Sequence, residues 1–356
     1  MSRTRFYELY SDYLRACAQG TADTWTPSAS GGAHHRAWPA EVTQLLPKLL
    51  AAKPPCSYSF AASELLRRYR FKTDRASVRR WAIANHLAPD TRYKPTPKPI
   101  KRWQAQDWGA LWQYDASPHL WLPCQPDKHV LLNLLDDATR YNVAARLYPH
   151  ETLLAHLDFL ERAFRACGLP LALYVDYHSF FFAQTPGAFT QLGTALHFYG
   201  VALRYAPTPQ AKGKIERRHH YFQGRLPALF AAEQVLELES ANTWLDQLLA
   251  HANAHEVHRE LGTTPQAARD QALNEARSVL RPTPTCPWWP YVFSQQTRVR
   301  VDDDGTVPAG LQRCSINAPR RSTVIRCLRP DGDIYYLRSA PDPQTQPQVL
   351  LHCPVF

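Results

Sequence analysis

Residues 111–148 read LWQYDASPHLWLPCQPDKHVLLNLLDDATRYNVAARLY. Three short apolar runs, "LWQYD", "HVLLNLLDD" and "YNVAARLY", are separated by Pro- and Asp-containing loops, which predicts three consecutive strands. The pattern then changes period. "ETLLAHLDFLERAFRACG" is an amphipathic helix stopped by Gly168, and "LALYVD" is a strand. "GAFTQLGTALHFYG" is a second helix ended by Gly200, "VALRYAP" a further strand, and "KGKIERRHHYFQ" (212–223) lies on the helix after it. A meander followed by strand–helix alternation predicts antiparallel pairing first and parallel pairing afterwards.

That order is the arrangement of a ribonuclease H-like domain, and it gives meaning to three acids. Asp115 lies in the first strand, Asp176 at the end of the fourth, and Glu216 on the helix after the fifth. In this order the first and fourth strands are neighbours, so their carboxylates can meet at one edge, and the helix can drop Glu216 onto the same point. Converging carboxylates repel one another and need compensation. Hard divalent cations prefer oxygen ligands. Two such ions ~3.5–4 Å apart can activate an attacking oxygen and stabilise the leaving oxygen of a phosphodiester. Lys212, Lys214, Arg217 and Arg218 surround Glu216 and cannot all pair with one carboxylate. The helix is therefore expected to turn Glu216 to metal and its basic neighbours to phosphates.

The rest of the chain supports an acidic polymer as partner. Net charge is +10, and residues 1–107 carry 18 Lys+Arg against 8 Asp+Glu, while residues 108–356 carry 23 of each. The whole surplus lies in the first third, which favours nucleic acid. Residues 1–37 are expected to be a flexible N-terminal region, since 20–37 are small, polar and aperiodic. Within 38–90, "FAASELLRRYR" and "DRASVRRWAIANHL" predict two helices around the turn "FKT", with Thr73 or Asp74 as cap of the second. This reads as a helix-turn-helix presenting Arg67, Arg68, Arg75, Arg79 and Arg80 to DNA. Residues 91–107 form a basic Pro-rich linker, with Lys98, Lys101 and Arg102 along a phosphate backbone. Residues 108–280 are the catalytic core. Residues 281–356 turn to period two with Asp-Gly turns at 304–305 and 331–332, predicting a small β-barrel. The expected whole is a multidomain α/β chain: helix-turn-helix, ribonuclease H-like mixed sheet with flanking helices, and C-terminal barrel. No apolar run approaches a membrane span. The charged N-terminus has no apolar signal core, and the eight scattered cysteines suit reduced thiols. A cytoplasmic, nucleoid-associated protein is expected.

Together, "WQYDASPHLWL", "LLDDATRYNVAARL", "LYVDYHSFF", "YAPTPQAKGKIERRHHYFQGRL" and "HEVHRELGTTPQAA" resemble a DDE transposase with a retroviral-integrase-type catalytic core, of the ISNCY-like bacterial insertion-sequence group. The resemblance spans about residues 60–280. It implies Asp115, Asp176 and Glu216 as ligands of two Mg²⁺ (or Mn²⁺) ions. It further implies strand cleavage and transfer at terminal inverted repeats without a covalent enzyme intermediate, and a homodimer or higher oligomer on double-stranded transposon-end and target DNA. Two rivals remain: a non-catalytic DNA-binding relative acting as a repressor or domesticated protein, and a ribonuclease H-like nuclease of another kind.

Other features read more plainly. Asp136–Asp137 suits turn and capping chemistry. His251, His255 and His258 have helical spacing but no completing ligand. Asp302–Asp304 suit a hairpin turn. His119 and His178, close in sequence to the aspartates, are auxiliary candidates for proton transfer or phosphate contact. Trp103, Trp108, Trp112 and Trp121 suit core-edge packing.

Overall fold

The computed structural model describes residues 3–27, 37–87, 104–185, 188–206, 212–310 and 312–354. Lys98, Lys101 and Arg102 lie outside them. The chain divides into two compact units, Met1–Leu45 and Leu46–Phe356.

The first unit opens with α1 (Arg3–Ala18), so the first half of the region expected to be flexible is helical. Its aromatic residues serve the helix itself: Phe6 stacks on Tyr10 with ring centroids 6.2 Å apart, and Tyr13 meets Trp25 edge-on at 5.3 Å. The apolar residues of "EVTQLLPKLL" sit on α2 (Ala40–Ala51).

In the second unit, α3 (Tyr58–Tyr69) begins at Ser57, whose hydroxyl accepts from Phe60 N. It ends at Arg70 in the left-handed region, φ 54°. After a short turn, Asp74 caps α4 (Arg75–Ala84) by accepting from Ser77 N at 2.7 Å. The two helices pack through Phe60, Leu65, Val78 and Ala82, all fully buried or nearly so.

The central sheet contains β1 (Trp112–His119), β2 (His129–Asp136), β3 (Asn142–Tyr148), β4 (Ala172–Val175) and β5 (Ala202–Tyr205), in the order β3-β2-β1-β4-β5. The meander pairs antiparallel, and β1–β4 and β4–β5 pair parallel. Between strands run α5 (Leu153–Cys167) and α6 (Gln191–Phe198), followed by α7 (Gly213–Gln223), α8 (Leu226–Ala232), α9 (Leu238–His255) and α10 (Pro265–Asn274). Strand alternation sends Trp112, Tyr114, Val130, Leu132 and Leu134 into one core with Leu157, Phe159, Leu160 and Phe164 of α5. The opposite face is covered from the α7–α9 side, so β2 is buried along its whole length. At the sheet edge, Asn242 and Asn253 of α9 accept from Leu147 N and Asn142 N and donate to the carbonyls of the same two residues. These side chains satisfy the backbone of an unpaired strand edge.

The C-terminal region starts with the short α11 (Trp289–Val292). Strands β6 (Gln295–Arg300), β7 (Thr306–Ala309), β8 (Gln312–Ser315), β9 (Thr323–Leu328), β10 (Ile334–Leu337) and β11 (Val349–Cys353) follow. They form a four-stranded sheet, β11-β10-β9-β6, and a separate β7-β8 pair. Both contribute to one small core around Val301, Val307, Val324 and Tyr336. The sheets do not close, so the expected barrel is replaced by open sheets.

The expected boundary at 280/281 is bridged. Trp288, Trp289, Phe293 and Leu337 belong to the same core as the central sheet. The Arg281 guanidinium donates to the carbonyls of Tyr199, Pro170 and Gly200 at 2.9–3.1 Å. Its backbone pairs with Leu169. This approach needs Gly168, at φ +96°, where a Cβ would fall 2.6 Å from the Arg281 carbonyl oxygen. No described helix is long and apolar enough to cross a membrane.

Candidate active site

Asp115 stands near the middle of β1. The parallel register pairs Trp112 with Leu173 and Gln113 with Tyr174. Continued two residues, it sets Asp115 beside Asp176, just past the end of β4. The two carboxylates share one cation: Lys212 Nζ lies 2.6 Å from Asp115 Oδ1 and 3.9 Å from Asp176 Oδ2. Asp176 is half exposed, and its Oδ1 accepts from His178 N at 3.1 Å. Burial pushes the Asp115 carboxyl above its ordinary value, opposed by the Lys212 ammonium and reinforced by the charge on Asp176.

Lys212 precedes α7, and the helix period sets Lys212, Glu216, His219 and Gln223 on one face. That face meets β1. His219 Nδ1 lies 3.5 Å from Asp115 Oδ2, and Gln223 Nε2 donates to Ser117 Oγ at 3.1 Å. Glu216, between Lys212 and His219, is half-buried in the first turn. Among the described residues no group of three His, Cys, Asp or Glu side chains is placed to hold a metal ion, and this includes Asp115, Asp176 and Glu216. The donors are hard oxygens already arranged about one positive charge, so the pair of aspartates fits a hard cation in chemistry.

Several expected site residues stand elsewhere. His119 is at the far end of β1, roughly 13 Å along the strand from Asp115 at ~3.3 Å per residue, packed edge-on to Trp121. His178 stays beside Asp176. Lys212 and Lys214 do not face outward as phosphate contacts: both are buried, Lys214 donating to Asp137 Oδ1 at 2.6 Å. Arg67 and Arg68 are also turned inward. Both bind the buried Glu64, Arg68 reaches Glu233 at 2.6 Å, and both lie over the Trp244 ring of α9. They dock the α3–α4 hairpin on the core. Arg75 and Arg80 are exposed, with Arg79 half-buried between them.

The sequence reading missed two positions. His219 touches Asp115, and burial pushes its pKa down to about 3, so it is neutral at ordinary pH. Its place three residues after Glu216 was the available signal. Asp137 is not simply a turn residue. It accepts from Ala105 N, Gln113 Nε2 and Lys214 Nζ, while Gln113 Oε1 accepts from Ile215 N. This clasp ties β1, β2 and the first turn of α7 together. The other rivals stay structural: His251 and His255 pack ring against ring, and Asp302 and Asp303 pair with Arg313 and Arg321.

No protein-family profile matches the chain. It is 35% identical over 144 residues to the transposase for insertion sequence IS1202 of Streptococcus pneumoniae, covering 38% of this chain and 30% of that one. It is 28% identical over 227 residues to y4bF of Sinorhizobium fredii, itself named only provisionally as a transposase, covering 60% and 49%. The chain thus spans between 30% and 49% of the length of these curated relatives. Among solved structures, it resembles a chain of the simian T-cell lymphotropic virus intasome at 15% identity and TM-score 0.41, covering 82% of this chain and 99% of that one. It also resembles the HTLV-2 integrase catalytic core domain, solved with magnesium, at 16% identity and TM-score 0.36, covering 47% and 99%. By sequence, the relatives it matches are named as transposases, one of them of an insertion sequence.

Proposed function

We propose that the chain is the DNA transposase of an insertion sequence, cutting at terminal inverted repeats and joining the freed ends to target DNA. The observation that carries this reading is the meeting of Asp115, on β1, and Asp176, just past the end of the adjacent parallel strand β4, around one cation. Asp115, Asp176 and Glu216 would hold two Mg²⁺ or Mn²⁺ ions, which when bound supply an activated attacking oxygen and charge neutralisation at the leaving oxygen. The chain's own residues do the rest. Burial keeps Asp115 poorly hydrated, the Asp137 clasp fixes the first turn of α7 and so the aim of Glu216, and His178 sits beside Asp176. Arg75, Arg79 and Arg80 on α4, with Lys98, Lys101 and Arg102, hold duplex phosphates. Pairing two ends calls for a homodimer or larger assembly on DNA.

The Lys212 bridge favours a second reading, a non-catalytic DNA-binding relative whose acids are neutralised internally. One experiment separates the two. Glu216→Gln is expected to abolish Mg²⁺-dependent cleavage of the element's end while leaving DNA binding nearly intact. Undiminished cleavage by that variant removes the central claim. Wild-type protein that binds ends but never cuts, with either metal, establishes the second reading.

A further inference from the structure

The face of α7 turned away from Asp115 lines a cavity of about 270 Å³. At about 100° per residue, Lys214, Arg217, Arg218 and Tyr221 lie half a turn round from Lys212, Glu216, His219 and Gln223. Six cations line the cavity, Arg140, Lys214, Arg217, Arg218, Arg225 and Arg259, against the one carboxylate of Glu256. Three of these cations are committed: Lys214 to Asp137, and Arg140 and Arg217 to Glu260. Counting both partners, six positive charges still face three negative ones.

The donors also exceed the acceptors. Arg140 is only 5% exposed, yet its Nε has no hydrogen-bond partner among the described residues. The same holds for Nε and Nη2 of Arg218 and Nε of Arg225. Arg218 and Arg225 are held in place, their guanidinium carbons 3.8 and 3.6 Å from the centroid of the Tyr221 ring. The Tyr221 hydroxyl donates to Glu256, which fixes the ring. Buried N–H groups without acceptors are costly. A fixed excess of positive charge around one cavity suits a ligand that offers several oxygens and no hydrogens of its own.

We propose that this cavity is a phosphate site, taking a backbone phosphodiester of the bound DNA. Its volume is ample for a phosphate group. It lies about one helix diameter, ~10 Å, across α7 from the acidic edge, so one duplex can span both. One phosphate seated here fixes the register of the strand offered to Asp115 and Asp176. The inference rests on the DNA-acting reading above.

The test uses the full chain and two variants, Arg218→Gln and the exposed Arg259→Gln, with circular dichroism confirming native helix content. Duplex affinity is measured against salt concentration on unrelated sequences. In parallel, thermal stability is measured in inorganic phosphate and in chloride at equal ionic strength. Each variant is expected to weaken duplex binding uniformly across sequences and to flatten the log–log salt slope by about one unit. Phosphate is expected to stabilise the wild type and neither variant. Unchanged slopes in both variants, with a wild type that binds DNA, overturn the proposal and leave the transposase reading standing. Phosphate stabilisation lost without a change of slope overturns the DNA assignment and leaves a free-phosphate site. A wild type that binds no duplex sinks both.

Discussion

Replacing Lys212 with alanine removes the one ammonium shared by Asp115 and Asp176. At 2.6 Å and an effective dielectric near 20, its attraction to Asp115 has an upper bound of about 6 kcal/mol. Desolvation of both groups offsets much of that, and breaking a buried pair by deleting one partner costs about 3–5 kcal/mol. Asp115 retains 19% exposure of its side chain and can recover some hydration. The expected loss is therefore about 2–4 kcal/mol, or ~6 °C in Tm for a chain of this size. The assay is denaturation of wild type and Lys212→Ala in EDTA and in millimolar MgCl₂. Without the ammonium, Mg²⁺ meets no competitor, so it should stabilise the variant more than the wild type and recover part of the deficit. A loss below about 1 kcal/mol refutes the bridge as a stabilising contact. Equal Mg²⁺ shifts in both proteins refute the claim that the ammonium occupies the cation's place.

Burial raises the Asp136 carboxyl to about 6, above its unfolded value of about 3.9. Its contribution to stability is thus fully present below about pH 3.9 and lost as pH rises through 6. Asp136→Asn has no such loss. Its stability relative to wild type should move in the variant's favour by on the order of 2–3 kcal/mol between about pH 4 and pH 7, and parallel denaturation curves would count against this. Asp74→Ala deletes the cap of α4 and should cost about 1 kcal/mol. It should also weaken duplex binding, and unaltered affinity would remove α4 from the DNA interface. Gly168→Ala meets both a close carbonyl and a left-handed backbone. It should destabilise by about 2 kcal/mol or more, whereas a neutral result would show that the Arg281 segment shifts easily.

The strands and helices of the central sheet were legible because burial leaves a periodic trace. "HVLLNLLD" reads as a strand covered on both faces, and Gly168 and Gly200 end the preceding helix patterns. The parallel β1–β4 neighbourhood, and with it the meeting of Asp115 and Asp176, followed from element order alone. What escaped depends on partners far apart in sequence. Lys214 looked like a surface cation because Asp137, which buries it, lies 77 residues away. Arg67 and Arg68 looked like DNA contacts for the same reason, since Glu233, just after α8, and Trp244 of α9 lie far along the chain. Period-two strands announced a β-rich tail but cannot specify whether a sheet closes, because closure depends on strand tilt and stagger. The α1 helix buries Ala16 and exposes its aromatic residues, so it leaves little apolar periodicity to read.

The knot at Arg281 and the shared core around Trp288 and Phe293 set how the C-terminal sheet can act. A module on a free tether samples a volume and finds its ligand by search. This sheet is instead built onto the same framework as the acidic edge, so anything it grips is held at a set distance from Asp115. Its reach is fixed by the fold, and lengthening the chain at 281 would change that reach only by first unfastening the core.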